Sequence, residues 1–299
     1  MKGRLLYYLN WIFETRINKN RIPLNSSIIL TDECNLHCRH CTVAHLGYPK
    51  QNFSSVTEDI DNLYNLGSRM LVITGGEPFL WRDDSGKNVE DVVRYARSMG
   101  FFRVVICTNG TLPLQSGADF LWVSLDGFQE EHESLRGSIY GKVVANIARS
   151  HHRGIFINFT ISNGNERHFE KSAEKILSLP NVRGILFHLY TKYIGGNDSL
   201  SLQDSTRANI LRRLAAFKKR HPLRTFNTFA GLHAMIKNNW QRGTWASVTI
   251  NQGQLTECCC RSGISNDSVC HECGCSPAVE TWVLASLKFS AFIENLRYL

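Results

Sequence analysis

Short apolar, β-branched runs alternate with polar segments of helical period through the first two thirds of the sequence. An alternation of strand and helix predicts a parallel sheet with helical crossovers, whose strands are buried on both faces. The predicted strands are residues 27–30, 70–74, 103–108, 120–124, 155–160 and 185–189.

Six predicted strands are too few for a closed eight-stranded barrel, so we expect an α/β fold with an open or partial barrel. Function is then expected at the carboxyl ends of the strands. After a helix predicted at 204–220, residues 246–250 and 254–259 predict a β-hairpin, followed by a Cys-rich loop and a final helix at 280–298. The predicted organisation is an N-terminal amphipathic helix (1–24), a barrel (25–222) and a small Cys-rich β-hairpin plus helix extension (223–299).

Composition excludes several classes of protein. The chain has 299 residues, of which 43% are hydrophobic and 20% charged, so it can bury a core and is not a disordered chain. The formal net charge of +8 favours anionic partners. No apolar run reaches the roughly 20 residues of a membrane-spanning helix. Nucleic acid is not expected as a partner, because no aromatic platform is interleaved with basic residues.

The ten cysteines are strongly clustered. Disulfides between such close neighbours would remove little entropy from the unfolded chain, whereas thiolate ligands of a metal need this crowding. Two metal sites in a reducing cytoplasm are therefore predicted. Cys107, alone on a predicted core strand, is expected to be structural. The clustered residues are Cys34, Cys38 and Cys41 in one group and Cys258, Cys259, Cys260, Cys270, Cys273 and Cys275 in the other.

The first cluster, C-N-L-H-C-R-H-C, follows the first predicted strand almost directly. Three thiolates can hold three corners of a four-iron cluster and leave the fourth iron open to an external ligand. Structural zinc is the alternative, with His37, His40 or His45 completing the ligand set.

Polar residues stand at the ends of the later strands. The second predicted strand runs into Gly75-Gly76-Glu77-Pro78, where glycines allow close approach of a ligand and a carboxylate can receive an ammonium group. Each strand end alone is typical of an ordinary turn, but together they predict one polar pocket. The other residues of this predicted pocket are Thr108, Asn109, Ser124, Asp126, Thr160 and His188.

Over roughly residues 25–189 the sequence resembles the radical S-adenosylmethionine (radical SAM) enzymes. The resemblance rests on the C-x-x-x-C-x-x-C triad and on G-G-E-P, T-N-G and S-L-D-G in that order. It implies a partial (β/α)6 barrel whose triad holds a [4Fe-4S] cluster that binds SAM. Reductive cleavage of SAM would give methionine and a 5'-deoxyadenosyl radical that takes hydrogen from a substrate.

The same resemblance implies roles for single residues. Glu77 and its glycines would receive the SAM amine, and Ser124 and Asp126 would lie near the ribose. His188 could contact adenosine or substrate, although a hydrogen-bonded core histidine is the alternative.

The second cysteine cluster resembles the SPASM or twitch extension of radical SAM relatives, which holds auxiliary iron-sulfur clusters. The match is partial, because residues 237–244 lack the cysteine expected before the hairpin. One auxiliary [4Fe-4S] cluster is therefore predicted, and zinc is the alternative. Its predicted ligands are Cys258, Cys270, Cys273 and Cys275.

The remaining thiols of the C-C-C run have two interpretations. Cys260 shares a strand face with Cys258 and is a rival ligand, whereas Cys259 points away. An unligated Cys259 or Cys260 could return a hydrogen atom to a substrate radical, as in the epimerases that the sequence resembles, or could be a buried spare thiol.

The N-terminal helix and the partners complete the expectations. Leu5, Tyr8, Leu9 and Ile12 predict an apolar helix face with basic residues around it, suited either to packing across the barrel or to peripheral contact with a membrane. The expected partners are an organic substrate, with anionic and lipid-like molecules among the options, and an electron donor such as flavodoxin or ferredoxin. A non-catalytic zinc or iron-sulfur protein on the same barrel is the alternative of another class.

Overall fold

One mixed sheet carries all the strands of the residues that the structure describes. The computed structural model describes residues 2–192, 197–242, 245–257 and 267–295. The strands are β1 (Asn25–Thr31), β2 (Met70–Gly75), β3 (Arg103–Thr108), β4 (Phe120–Ser124), β5 (Ile155–Ile161), β6 (Val182–Leu189), β7 (Ser247–Asn251) and β8 (Gln254–Glu257). Their order across the sheet is β6-β5-β4-β3-β2-β1-β7-β8.

Helices cross between the strands and cover the outer face of the sheet. Local sequence explains their ends: Asn88 and Asp91 form a capping box at the start of the third helix, and Gly100 ends it with a φ of 106°. The helices are α1 (Lys2–Arg16), α2 (Phe53–Asn65), α3 (Val89–Met99), α4 (Gln129–Arg136), α5 (Tyr140–Arg149), α6 (Phe169–Leu177), α7 (Asp204–Arg220), α8 (Phe229–Lys237), α9 (Asp267–His271), α10 (Ser276–Ala285) and α11 (Phe289–Asn295).

Strands β1 to β6 pair in parallel, each with its neighbour in the chain. The predicted α/β class and partial barrel are thereby confirmed. The hairpin β7-β8 joins the same sheet, because β7 pairs in parallel with β1. The predicted continuous helix at 280–298 is wrong: α10 ends before Ser286, and Leu287 has a φ of 53° that a helix cannot contain.

The two faces of the sheet differ in what they pack against. Residues such as Ile28, Leu71, Ile106, Val123 and Phe159 are fully buried against the helices and form the main core. The alternate residues face the inside of the partial barrel, where many side chains are only half-buried. The inner face therefore lines an open lumen.

The lumen is closed at the amino-terminal ends of the strands. Phe156, Leu186 and Phe226 are buried together there, and Phe120 and Trp122 pack against them. Edge-to-face aromatic contacts, such as the 4.5 Å centroid distance between Phe156 and Phe226, hold this floor together. This cluster closes the lumen beside the amino-terminal ends of β4 to β6, and the half-buried polar positions lie toward the carboxyl ends.

Helix α1 packs across the amino-terminal ends of the strands. Trp11 is buried and its Nε1 donates to the Ile22 carbonyl at 2.8 Å, while the Tyr8 hydroxyl lies 3.4 Å from Met70 Sδ. Of the predicted apolar face, Tyr8 is buried against the sheet, whereas Leu5 and Leu9 are exposed. No helix of the described residues is both long and apolar enough to cross a membrane.

Candidate active site

The loop that carries the first cysteine triad leaves the carboxyl end of β1 and is held by the G-G-E-P turn. The backbone N–H of Gly76 donates to the Thr31 carbonyl at 2.7 Å, and that of Glu77 donates to the Glu33 carbonyl at 2.8 Å. A Cβ on Gly75 would lie 2.2 Å from the Thr31 oxygen, and one on Gly76 would lie 2.1 Å from the Glu33 oxygen. Because Gly75 and Gly76 have no side chain, the triad loop can approach their backbone closely. The sequence predicted a ligand at this place.

Glu77 ties the end of β2 to the end of β3. Its carboxylate accepts hydrogen bonds from the Thr108 hydroxyl (2.9 Å to each oxygen), from the Asn109 N–H (2.7 Å) and from the Phe79 N–H (3.1 Å). Burial raises the pKa of Glu77, and these hydrogen bonds partly offset that rise. The residue has no exposed surface and positions this turn, and its contact with a ligand amine stays a prediction.

The three thiols of the triad converge at the rim of the lumen. Cys34 and Cys38 are half-buried, and Cys41 is exposed. Burial is the main cause that raises the pKa of Cys34 and of Cys38, and charge on the Cys41 thiol raises both further. Three thiols that repel one another when ionised form a donor set suited to a positively charged metal group.

Two side chains donate N–H groups to these thiols. Asn109 Nδ2 lies 3.7 Å from Cys34 Sγ, and Arg136 Nη1 lies 3.9 Å from Cys38 Sγ. The same Asn109 amide donates to Asn35 Oδ1 at 2.9 Å, which fixes the loop against the end of β3. Such donors stabilise negative charge on ligand sulfurs and tune a cluster. Neither Arg136 nor Asn35 was identified from the sequence as a residue of this site. The one signal for Arg136 was its position as the basic residue at the end of α4.

Asp126 and Arg136 form a buried ion pair behind Cys38. Arg136 Nε lies 2.5 Å from Asp126 Oδ2, and the other carboxylate oxygen accepts the Thr160 N–H at 2.7 Å. Burial alone would raise the pKa of Asp126, but the neighbouring Arg136 guanidinium, more than any other group, holds it below its usual value. Asp126 has no exposed surface, and its place near a ribose stays a prediction.

Two histidines of the loop contact each other and the backbone. His37 and His45 stack on each other at 4.1 Å, and His45 Nε2 lies 2.9 Å from the Leu36 carbonyl. Within the described ranges, no three Cys, His, Asp or Glu side chains surround a single ion position. Structural zinc needs four close ligands. The triad stays predicted to hold a [4Fe-4S] cluster, and structural zinc stays the alternative.

Polar side chains line the lumen below the triad. Ser124 on β4 faces Asn158 on β5, and Thr160 on β5 faces His188 on β6. His188 Nε2 lies 3.2 Å from Asn158 Oδ1. Cys107, expected in the core, stands on the inner face and is half-buried. Hydroxyl, amide and imidazole groups thus point into one cavity that can orient a polar ligand.

The second cysteine cluster is attached to the carboxyl end of β6. Leu189 N–H donates to the Gly274 carbonyl at 3.0 Å, and Gly274 N–H donates to the Thr191 hydroxyl at 2.8 Å. A Cβ on Gly274 would lie 2.1 Å from the Leu189 oxygen, so this contact requires glycine. The cluster therefore stands at the same edge of the sheet as the triad. Its described thiols are Cys270, Cys273 and Cys275; the predicted Cys258, Cys259 and Cys260 lie outside the described residues.

Two arginines bind the backbone of this second cluster. Arg207 Nη2 donates to the Cys273 carbonyl at 3.0 Å, and Arg242 Nε donates to the Cys270 carbonyl at 2.9 Å. Burial is the main cause that lowers the pKa of Arg207. Guanidinium groups bound to this loop bring positive charge close to residues whose thiolates would be negative.

Helix α10, which follows Cys275, is anchored by Glu280. Its carboxylate accepts the Thr228 N–H at 2.8 Å and the Thr228 hydroxyl at 2.7 Å. Burial raises the pKa of Glu280 from 4.5 to about 7, and the Thr228 hydrogen bonds partly offset the rise. A carboxyl with a raised folded-state pKa contributes stability that is fully present below the unfolded pKa and is lost as pH rises through the folded value.

Glu280→Gln is therefore expected to flatten the pH dependence of stability. Between pH 5 and pH 8 the free energy of unfolding of the unmodified chain should fall by about 2 kcal/mol because of this carboxyl, and that of the variant should not show this decrease. Urea unfolding at several pH values measures the difference, with exposed Glu272→Gln as the control. Equal pH slopes for the unmodified chain and for Glu280→Gln would contradict the prediction.

The fold and the site together define a partial-barrel protein with a cysteine triad at the carboxyl end of its first strand. Residues 28–176 match the family model of the Radical SAM superfamily. The chain therefore contains a radical SAM domain and through it belongs to that superfamily. Members of the superfamily use a [4Fe-4S] cluster and SAM, as the sequence predicted.

Two curated relatives show how far the similarity reaches. Fe-coproporphyrin III synthase of Methanosarcina barkeri is 29% identical over 197 residues, which cover 60% of this chain and 48% of the relative. Pre-heme d1 synthase of Dinoroseobacter shibae is 27% identical over 250 residues, covering 74% of this chain and 59% of the relative. The chain thus spans between about half and three fifths of these relatives.

Solved structures confirm the fold. Streptococcus suis SuiB bound to its precursor peptide SuiA superposes with a TM-score of 0.64 at 12% identity, covering 90% of this chain and 67% of that chain. At this identity the likeness shows the architecture alone.

Proposed function

We propose that this chain is an enzyme that cleaves SAM reductively and uses the resulting radical to take a hydrogen atom from an organic substrate. The observation that carries the proposal is the position of the triad, at the open rim of a lumen lined by polar side chains. Cys34, Cys38 and Cys41 would hold the [4Fe-4S] cluster and leave one iron without a thiolate. When bound, cluster and SAM supply carbon-sulfur cleavage and hydrogen abstraction.

The residues around the triad position it and supply charge. Asn109 and Arg136 donate to the thiols, and Glu77 fixes the turn that holds the loop. Ser124 and His188 are half-buried in the lumen and are the proposed contacts for the adenosine part of SAM or for substrate. The aromatic floor closes the opposite end of the lumen and limits water there, which protects a reactive radical.

An auxiliary [4Fe-4S] cluster at the second cysteine cluster is part of the proposal. Cys270, Cys273 and Cys275 lie on a loop fixed to the end of β6, and Cys258 stays the predicted fourth ligand. Arg207 and Arg242 bring positive charge to this loop. A cluster here would stand at the same edge as the triad, where substrate enters.

The electron that reduces the first cluster would come from a donor such as flavodoxin or ferredoxin. Cys41 is the exposed thiol of the triad, and the chain carries a net charge of +8. Positive charge raises the encounter rate with an acidic electron carrier. We therefore propose that the donor docks on the triad loop.

The similarity to known proteins supports the radical-forming step but does not indicate one particular substrate. The relatives' names include a porphyrin synthase and a GTP 3',8-cyclase, and the chain matches about half of each of these. The Radical SAM match covers residues 28–176 and contains the triad, so substrate recognition is assigned to the lumen and to the remaining parts. The proposed substrate is an organic molecule small enough, or extended enough, to enter the open rim.

Anaerobic reconstitution followed by addition of SAM and dithionite tests the proposal. The chain is expected to form 5'-deoxyadenosine, measured by mass spectrometry, while Cys38→Ala gives only background. Arg39→Ala, which changes an exposed side chain of the same loop and keeps all three thiols, is the matched control and should retain the product. Equal product from the unmodified chain and from Cys38→Ala would end the enzyme proposal.

A further inference from the structure

The outer face of α1, together with Ile17 directly after the helix, forms an exposed apolar strip. Leu5, Leu6, Leu9, Phe13 and Ile17 are 60%, 67%, 56%, 51% and 67% exposed, respectively. Residues four apart are neighbours on a helix surface, so these side chains form one continuous strip. Soluble proteins rarely leave a contiguous apolar patch uncovered unless it binds something.

Positive charge surrounds this strip. Residues 2–21 contain five Lys or Arg and one Glu, a local balance of five minus one, or +4. That acid, Glu14, is held by Asn18 and Asn20, whose amides donate to its carboxylate at 3.0 and 2.7 Å. Lys19 and Arg21 are exposed just beyond the helix, and Arg21 lies 3.9 Å from the carboxylate of Glu257. An apolar strip with a basic border matches an anionic lipid surface.

The positive charge continues along the same edge of the sheet. Arg153 precedes β5 and Arg183 lies at the start of β6; both are exposed, and with Arg224 they line a cleft beside the floor of the lumen. The acid of that cleft, Asp119, is paired with Arg97 at 3.2 Å. Exposed positive charge is therefore also present at the amino-terminal ends of β5 and β6, on the same edge of the sheet as α1.

We propose that α1 docks this chain on an anionic bilayer surface, with the side chains of Leu5, Leu6, Leu9, Phe13 and Ile17 in the headgroup region and the basic edge against the headgroups. A second protein copy is less well matched, because two such edges would bring like charges together. Helix α1 is already anchored to the sheet by Trp11 and Tyr8, so docking needs no refolding.

This orientation bears on the substrate, a consequence that rests on the proposed function. The triad lies at the carboxyl edge of the sheet, and α1 lies at the amino-terminal edge. A docked chain would turn its open rim away from the bilayer. The membrane contact would then hold the enzyme at the bilayer surface, and substrate would enter the open rim from the aqueous side.

Co-sedimentation of the full chain with vesicles tests the docking. The chain is expected to bind vesicles of phosphatidylcholine mixed with phosphatidylglycerol, to bind phosphatidylcholine alone weakly, and to lose binding as salt rises. The triple variant Leu5→Ser, Leu9→Ser, Phe13→Ser should bind at least about tenfold more weakly, because each apolar carbon withdrawn from the interface lowers the affinity. Leu255→Ser with Ile293→Ser, two exposed apolar side chains elsewhere, is the matched control.

Three outcomes would overturn the proposal: no sedimentation with anionic vesicles, equal binding by the triple variant, or equal loss in the control pair. Light scattering adds a further check, since a dimer abolished by the triple variant without vesicle binding would assign the strip to a second copy. Vesicle binding needs neither SAM nor a reduced cluster. A chain that does not bind vesicles would therefore leave the proposed function intact. A chain that binds vesicles but makes no 5'-deoxyadenosine would contradict the proposed function and leave the membrane docking intact.

Discussion

Replacing Cys38 with alanine is expected to lower the iron content of the anaerobically reconstituted chain from about eight to about four atoms, because a four-iron cluster held by three thiolates loses its central ligand. Cys38 lies between Cys34 and Cys41 on one loop, and Arg136 donates to its sulfur. Iron and sulfide analysis measures the loss. SAM cleavage should fall to background in the same preparation.

The second cysteine cluster provides the matched variant. Cys273→Ala should also lower iron to about four atoms per chain, yet the triad cluster remains, so SAM should still change the electron paramagnetic resonance spectrum of the reduced protein. Both variants lose the same amount of iron, so iron content alone cannot tell the two sites apart. The response of the electron paramagnetic resonance spectrum to SAM distinguishes them. Full iron in Cys38→Ala, or a SAM response that survives in Cys38→Ala, would contradict the assignment of the triad.

The sequence was sufficient for those parts of the fold that depend on local pattern. Strands β2 to β6 are buried, β-branched runs, so their positions follow from hydrophobic period. The triad was equally readable, because its thiols lie within eight residues. Helix α4 was missed because it is short and polar, with only His132 and Leu135 buried.

The roles of the acidic residues could not be read in the same way. Glu77 and Asp126 were expected beside a ligand, and that expectation stays a prediction; what the sequence did not indicate is that their carboxylates also bind the end of β3 and Arg136, partners far along the chain. The two glycines before Glu77 likewise serve the loop after β1. A residue type and its position at a strand end do not specify which side chain meets it in three dimensions.

Arg136→Gln is expected to destabilise the chain by about 3 to 5 kcal/mol, because it leaves the Asp126 carboxylate buried without its charge partner. Arg136 is 10% exposed and Asp126 is fully buried, so water cannot replace the lost contact. Arg94→Gln is the matched control: Arg94 pairs with Asp91 at 2.8 Å but is 68% exposed. That change should cost at most about 1 kcal/mol in urea unfolding.

A double variant separates the ion pair from packing around it. Asp126→Asn together with Arg136→Gln removes both charges and should recover a large part of the stability lost by Arg136→Gln alone. The position of Arg136 near Cys38 adds a second readout, since loss of its positive charge should shift the reduction potential of the triad cluster to more negative values. If Arg136→Gln costs no more than Arg94→Gln and leaves the potential unchanged, the pair neither holds the loop nor supports the triad, and the electrostatic account of this site is wrong.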